Sequence, residues 1–125
     1  MLVDTDVIIW FLRGNQLAEA RLNQIPKLRL SVITYMELVQ GMRNKQELQA
    51  LQKTVQLYQW QILPVDEAIC HRAVRYVENY SLSHAMRLAD ALIAATAVHY
   101  ELMLLSANDK HYSVLSDLKL EVFRP

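Results

Sequence analysis

Residues 1–9 read MLVDTDVII, an apolar run followed by two aspartates one residue apart and then by a second apolar run. The first run has the length of a short buried strand, and the second suits a helix that stops at Gly14. Asp4 has apolar neighbours on both sides, so an unpaired carboxylate there would be costly without a compensating partner. Either aspartate could also simply cap the first helix, and for Asp6 alone capping is as good an explanation as chemistry. The stretch therefore predicts a buried strand that ends in carboxylates.

Further apolar segments along the chain alternate between lengths typical of strands and of helices. Strands are predicted at 2–5, 28–33, 59–65, 102–106 and 120–123, and helices at 6–13, 35–43, 45–58, 66–80 and 87–100. Such alternation indicates an α/β fold, with a central, mainly parallel sheet of about five strands flanked by α-helices. In such sheets, ligands gather beyond the carboxyl ends of the strands.

Composition narrows the class of protein. A chain of 125 residues, 53% of them hydrophobic, can bury one core, so residues 1–125 are expected to form a single domain. Thirteen basic residues balance thirteen acidic ones, so contact with a polyanion must be local or carried by a bound cation. Cys70 is the only cysteine, and no apolar run approaches the roughly 18 to 20 residues that span a bilayer. We therefore expect a cytoplasmic protein with no membrane segment.

Five carboxylates lie at predicted strand ends or in the first turns of the helices that follow. They are Asp4, Asp6, Glu37, Asp90 and Asp109. If the strands are parallel, these side chains can meet at one edge of the sheet, where their mutual repulsion requires a cation or protonation. Carboxylate oxygens without a Cys or His set at ligand spacing favour Mg²⁺ or Mn²⁺ over zinc. Such ions activate water and stabilise the charge that develops in phosphodiester cleavage.

Three of these acids also have a structural explanation that needs no metal. Thr34 and Glu37 match the T-x-x-E capping box. Asp90 lies in the first turn of a predicted helix, where the helix dipole stabilises its charge. Asp109 follows Asn108 in an ordinary turn pair. The coincidence of all the acids after successive strands favours chemistry over these separate explanations.

Four blocks of the chain, in this order, resemble one known family. They are LVDTDVII, SVITYMELVQG, LADALIAATAV and LLSANDKHYSVL. Together they resemble the PIN-domain ribonucleases, and most closely the small VapC-type toxins of toxin–antitoxin modules. The resemblance extends over essentially the whole chain and implies the PIN-like α/β fold.

The resemblance also implies roles for individual residues. Asp4, Glu37 and Asp90 match the core acids of the metal site. Asp109 matches the fourth, although Asn108 is the alternative residue that could reach the metal or water. Positions that match supporting residues of the family's site are Thr5, Asp6 and Ser106.

The function that the resemblance implies is hydrolysis of RNA phosphodiester bonds by metal-activated water. It further implies dependence on Mg²⁺ or Mn²⁺, a homodimer, and a cognate antitoxin protein that blocks the site. Tyr112 stands where the family has an aromatic residue and is interpreted as packing. His111 is interpreted as a plain loop residue, although it could contact a phosphate.

Two other functions compete with this one. The opening motif also fits haloacid-dehalogenase-type phosphatases, in which Asp4 would be the nucleophile and Asp6 the general acid/base. That mechanism needs a later Gly-Asp motif, and the chain contains no Gly-Asp dipeptide. The second alternative is a non-catalytic PIN-like module that binds RNA or a protein. The retained acids argue against it, because crowded negative charge would hinder a module that only binds phosphates.

Overall fold

The computed structural model describes all residues from 1 to 125, which form five strands and seven helices. The strands are β1 (Leu2–Val3), β2 (Arg29–Ser31), β3 (Gln61–Leu63), β4 (Leu104–Ser106) and β5 (Leu120–Val122). The helices are α1 (Thr5–Leu12), α2 (Gln16–Asn23), α3 (Val32–Gln40), α4 (Lys45–Leu57), α5 (Glu67–His84), α6 (Leu88–His99) and α7 (Asp109–Tyr112).

All five strands are parallel and lie in the order β3-β2-β1-β4-β5. In the register of the central strand, Leu2 lies opposite Arg29 on one side and Leu104 on the other. Successive residues of β1 face opposite sides, so Leu2 joins one buried apolar cluster and Val3 the other. The predicted α/β fold with a five-stranded parallel sheet is confirmed.

The order of the strands creates a switch point beside β1. From β1 the chain proceeds outward through β2 and β3 on one side, and it later returns to place β4 and β5 on the other. A crevice forms at the carboxyl ends of strands where such a reversal occurs, because the connections leave them in opposite directions. Here the crevice lies between the ends of β1 and β4.

All five predicted strands extend beyond the observed ones, and in two of them the reason is that a polar side chain starts a helix earlier than expected. The Asp4 carboxylate accepts a hydrogen bond from the backbone N–H of Thr5 (2.8 Å), so the chain turns into α1 after only two strand residues. Ser31 accepts one in the same way from the N–H of Ile33 (3.0 Å) and begins α3 there. Both strands therefore end in the N-cap of the helix that follows.

Two helices were not predicted from the sequence, and one is longer than predicted. α2 begins at Asn15, whose side chain accepts from the N–H of Ala18 (2.9 Å), and it buries Ala18 and Leu22 one turn apart. The four-residue α7 follows β4. α5 continues to His84 and ends at Ala85, which adopts the left-handed conformation (φ 52°). No helix is both long enough and apolar enough to cross a membrane.

Candidate active site

Asp4 stands at the switch point, where β1 ends. Its side chain is 5% exposed, and its two oxygens accept hydrogen bonds from neutral donors only. Oδ1 accepts from the backbone N–H of Thr5, and Oδ2 accepts from the hydroxyl of Ser106 at the end of β4 (2.7 Å). The carboxylate therefore bridges the two central strands of the sheet.

Asp6 lies in the first turn of α1 and joins the same crevice. Its carboxylate accepts from the N–H of Val7 (2.7 Å) and, across the crevice, from the N–H of Ala107 (3.1 Å). The alternative that Asp6 is the helix N-cap is wrong, because Asp4 occupies that position. Asp6 instead attaches the start of α1 to the segment that follows β4.

The pKa values of these two carboxyl groups report a crowded, poorly solvated site. Burial, together with the negative charges of Asp6 and Asp90, raises the pKa of Asp4 to about 7, although the hydrogen bonds from Ser106 and Thr5 act to lower it. Burial also raises the pKa of Asp6, with a contribution from Asp90. The negative charges of neighbouring acids thus disfavour the ionisation of Asp4 and Asp6.

Glu37 reaches the site from α3 through a contact with Thr5. The Thr5 hydroxyl donates to Glu37 Oε1 (2.7 Å), and its oxygen lies 3.0 Å from the hydroxyl oxygen of Thr34. The capping-box alternative is wrong, since Ser31 caps α3 and Thr34 lies inside the helix. The Glu37 carboxylate is therefore held beside the residue that follows Asp4.

Asp90 lies in the first turn of α6, and its carboxylate contacts a residue that the sequence did not identify as part of the site. Asp90 Oδ2 is 3.0 Å from Nδ1 of His111 in α7. The side-chain nitrogen of Asn108 lies 3.1 Å from the same Nδ1, and the Asn108 N–H donates to Ser106 Oγ (2.9 Å). Asn108 and His111 therefore link Asp90 to the end of β4.

Asp109, predicted as the fourth acid, is not brought to this group. Its side chain is partly exposed and bonds to Arg124 (Oδ1 to Nη2, 2.9 Å), which lowers the pKa of the carboxyl group. Arg124 also donates to the carbonyl of Ala107 (3.0 Å). Of the two alternatives, Asn108 is the one whose side chain contacts the Asp90–His111 pair.

Tyr112 contributes a polar atom that the packing interpretation did not anticipate. The residue is fully buried, and its hydroxyl has no hydrogen-bond partner. Burial, the charges of Asp4, Asp90 and Asp6, and a close approach to the Asp4 carboxylate raise its pKa well above the ordinary value, although no hydrogen bond of good geometry forms. The available signal was the position of Tyr112 one turn after a polar loop at a strand end, but the same pattern also fits a core aromatic.

The donor set suits a hard divalent cation. The acids present carboxylate oxygens, and no Lys or Arg side chain pairs with Asp4, Asp6, Glu37 or Asp90. The unpartnered Tyr112 hydroxyl and the raised pKa of Asp4 both indicate a polar site that protein groups alone leave unsatisfied. No three His, Cys, Asp or Glu side chains converge as a complete ligand set in these rotamers. The type of ligand atom and the negative charge therefore fit a cation. In this structure the same carboxylates accept hydrogen bonds from protein groups.

Comparisons with known proteins agree with this arrangement. The family model described as PIN domain matches residues 1–118. A protein named Ribonuclease VapC10, from Mycobacterium tuberculosis, is 35% identical in an alignment 123 residues long that covers 95% of this chain and 90% of the relative. Ribonuclease VapC19 of the same species is 31% identical in an alignment 123 residues long that covers 94% of this chain and 96% of the relative. Among solved structures, a toxin–antitoxin complex from Klebsiella pneumoniae contains a chain that matches with a TM-score of 0.80 and 25% identity, covering 94% of this chain and 93% of that one.

Proposed function

The chain belongs to the PIN domain family, and we propose that it is a metal-dependent endoribonuclease, the toxin of a toxin–antitoxin module. Relatives named as ribonucleases align over nearly their whole length, and a chain of similar structure occurs in a toxin–antitoxin complex. One structural observation carries the proposal. Asp4, Asp6 and Asp90 lie together at the switch point of the sheet, where burial and neighbouring charge raise the pKa values of Asp4 and Asp6 and no arginine or lysine pairs with the acids.

The residues that would hold the cation are Asp4, Glu37 and Asp90, with Asn108 in place of Asp109 as the fourth polar group. Asp6 would support them through its bond to Ala107. We propose Mg²⁺ or Mn²⁺, because the set is dominated by carboxylate oxygens. When bound, such an ion supplies Lewis acidity and an activated water for attack on an RNA phosphorus.

The protein's own contribution is to hold these carboxylates in place before RNA binds. Ser106 and the Thr5 N–H fix both oxygens of Asp4, and the Thr5 hydroxyl fixes Glu37. Each of these donors is neutral, so orientation is gained without cancelling the negative charge that a cation needs. Burial of Asp4 keeps bulk water from screening that charge.

The partners proposed for this chain are an RNA substrate, a cognate antitoxin protein that covers the acidic site, and a second copy of the chain in a homodimer. Its proposed place of action is the cytoplasm, where RNA is available. The haloacid-dehalogenase alternative is set aside, because the PIN domain match covers residues 1–118. The uncompensated charge of the acids argues against the non-catalytic alternative.

Sequencing of RNA 5′ ends after induced expression tests the proposal in cells. The wild-type chain should inhibit growth and create new RNA ends at defined sites, and Asp4→Asn should do neither at equal protein level. Glu121→Gln is a matched control, since Glu121 pairs with Arg21 and has no contact with the acids. New RNA ends that persist in Asp4→Asn would contradict the proposal.

A further inference from the structure

His111 presents one ring nitrogen to two other site residues at once. Nδ1 lies 3.0 Å from Asp90 Oδ2 and 3.1 Å from the side-chain amide of Asn108. The ring is only partly exposed, with its side chain 29% accessible and that of Asp90 18%. The three groups therefore meet in a restricted space at the end of β4 and the start of α6.

A single ring nitrogen cannot satisfy both neighbours as they are arranged. If Nδ1 accepts a hydrogen bond from the Asn108 amide, its lone pair also faces the Asp90 carboxylate, which is repulsive. If Nδ1 carries the proton and donates to Asp90, the donor groups of His111 and Asn108 face each other. Rotation of the Asn108 amide removes that clash but directs the amide oxygen to the same point. With the amide rotated, Nδ1–H can donate to both the Asp90 carboxylate and the Asn108 oxygen, so three potential ligand atoms surround a single proton.

The separations between these atoms match those of neighbouring ligands around one cation. Ligand atoms at about 2.1 Å from an octahedral ion lie about 3 Å from each other. A cation placed between the imidazole nitrogen, the Asp90 carboxylate and the Asn108 amide oxygen would take the place of that proton and contact all three atoms. The buried Tyr112 hydroxyl, unpartnered and close to Asp90, is a separate indication that a polar species belongs in this space.

We propose that His111 is a ligand of the same divalent cation, through Nδ1, together with Asp90 and the amide oxygen of Asn108. This inference rests on the proposed function, which requires a cation at these acids. An imidazole ligand binds first-row transition ions more strongly than Mg²⁺, whereas carboxylates bind both. His111 therefore shifts the preference of the site from Mg²⁺ toward Mn²⁺.

Electron spin echo envelope modulation of Mn²⁺ bound to the full-length chain tests this assignment without an activity measurement. The wild-type chain should show ¹⁴N coupling from a directly bound imidazole. His111→Asn should lose that coupling and bind Mn²⁺ about tenfold more weakly, with a smaller change for Mg²⁺. His71→Asn is the matched control, because His71 is exposed on α5 and pairs only with Glu67.

Labelling the wild-type chain with ¹⁵N-histidine makes the result independent of how the variant folds. The ¹⁴N pattern should then be replaced by a ¹⁵N pattern. Bound Mn²⁺ without histidine nitrogen coupling would overturn the role of His111 and leave the proposed nuclease intact. Coupling that persists in a folded His111→Asn variant would do the same. Failure of Mn²⁺ to bind the wild-type chain at all would overturn both this inference and the proposed function.

Discussion

Two groups of carboxylates in this molecule have different partners. Away from the crevice, four of them pair with an arginine at 2.7 to 2.9 Å: Glu121 with Arg21, Glu47 with Arg43, Asp117 with Arg72, and Asp109 with Arg124. At the crevice, Asp4, Asp6 and Glu37 contact only N–H and O–H donors, and Asp90 contacts a histidine. Arginine thus pairs with four carboxylates outside the crevice and with none at the switch point.

The difference indicates which kind of ligand suits the crevice. The neutral donors orient the carboxylates, yet burial still raises the pKa of Asp4 to about 7 and raises that of Asp6. A protein without use for this charge could place an arginine there, as it does at Asp109 and Glu121. The absence of an arginine or lysine partner leaves this charge available for the proposed cation.

The largest expected effect follows from removing one charge on each side of this comparison. Asp90→Asn or Asp4→Asn should lower cleavage of a fluorescent RNA by at least about 100-fold, because the proposed cation would lose a ligand. Glu121→Gln, on the arginine-paired side, should stay within about twofold of wild type. Equal losses in all three purified variants would show that the two kinds of carboxylate do not differ in function.

The next prediction concerns stability and pH. The pKa of Asp4 is raised from 3.8 to about 7 in the folded protein, so between these values the folded chain binds the extra proton. Stability contributed by this group therefore falls as pH rises through that window, and the deficit is complete above pH 7. Asp4→Asn should then stabilise the metal-free chain at pH 8 by a few kcal/mol relative to its effect near pH 4.

Urea unfolding with a chelator present, at pH 4, 6 and 8, measures this difference between variant and wild type. Glu121→Gln should show the opposite trend, a loss of stability that grows as pH rises. The reason is that Arg21 lowers the pKa of Glu121, so the ionised carboxylate stabilises the native protein. A stability difference for Asp4→Asn that does not change with pH would mean that Asp4 is not a poorly solvated acid in the folded chain.

A smaller effect on RNA cleavage should distinguish the adjacent residues Asn108 and Asp109. Asn108 lies with the acids of the crevice, whereas Asp109 pairs with an arginine. Asn108→Ala removes the amide beside His111 and Asp90 and should reduce RNA cleavage about tenfold. Asp109→Asn breaks only a partly exposed bond to Arg124 and should change cleavage by about twofold or less. The reverse ranking in the same assay would restore Asp109 as the fourth site residue.

The smallest expected effect is that of the buried Tyr112 hydroxyl. An unsatisfied buried hydroxyl destabilises the protein, so Tyr112→Phe should stabilise the metal-free chain by about 1 kcal/mol. Thermal unfolding with a chelator present measures the change, and Tyr76→Phe is the contrasting variant because the Tyr76 hydroxyl donates to Asp117. A loss of stability in Tyr112→Phe would reveal a hydrogen bond to the acids.

The sheet could be predicted from the sequence because each strand is a short apolar run whose end is marked by a polar residue. Asp4 and Ser31 carry that signal, although they end their strands earlier than the apolar pattern suggests. α2 was missed because its apolar residues are few, even though Asn15 is a good N-cap and Ala18 and Leu22 lie one turn apart. Local pattern thus located the strands better than their exact ends.

The sequence pointed to the acids of the candidate site but not to its histidine. Asp4, Asp6 and Asp90 could be inferred because topology alone brings strand ends and the helices after them to one edge. The contact between His111 and Asp90 depends on how the short α7 packs once Tyr112 is buried, and no local pattern specifies that. The pairing of Asp109 with Arg124 likewise depends on the position of the chain end after β5.

The most direct test of the central claim is calorimetric unfolding at pH 8 with and without Mg²⁺ or Mn²⁺. If the acids of the crevice have no arginine partner because they bind a cation, the ion should stabilise the folded chain. Either ion at about 100 times its dissociation constant should then raise the melting temperature of the wild-type chain by about 10 °C. Asp4→Asn should show little of this rise, and Glu121→Gln should show all of it. An equal response of the wild type and Asp4→Asn, or none in the wild type, would contradict the account.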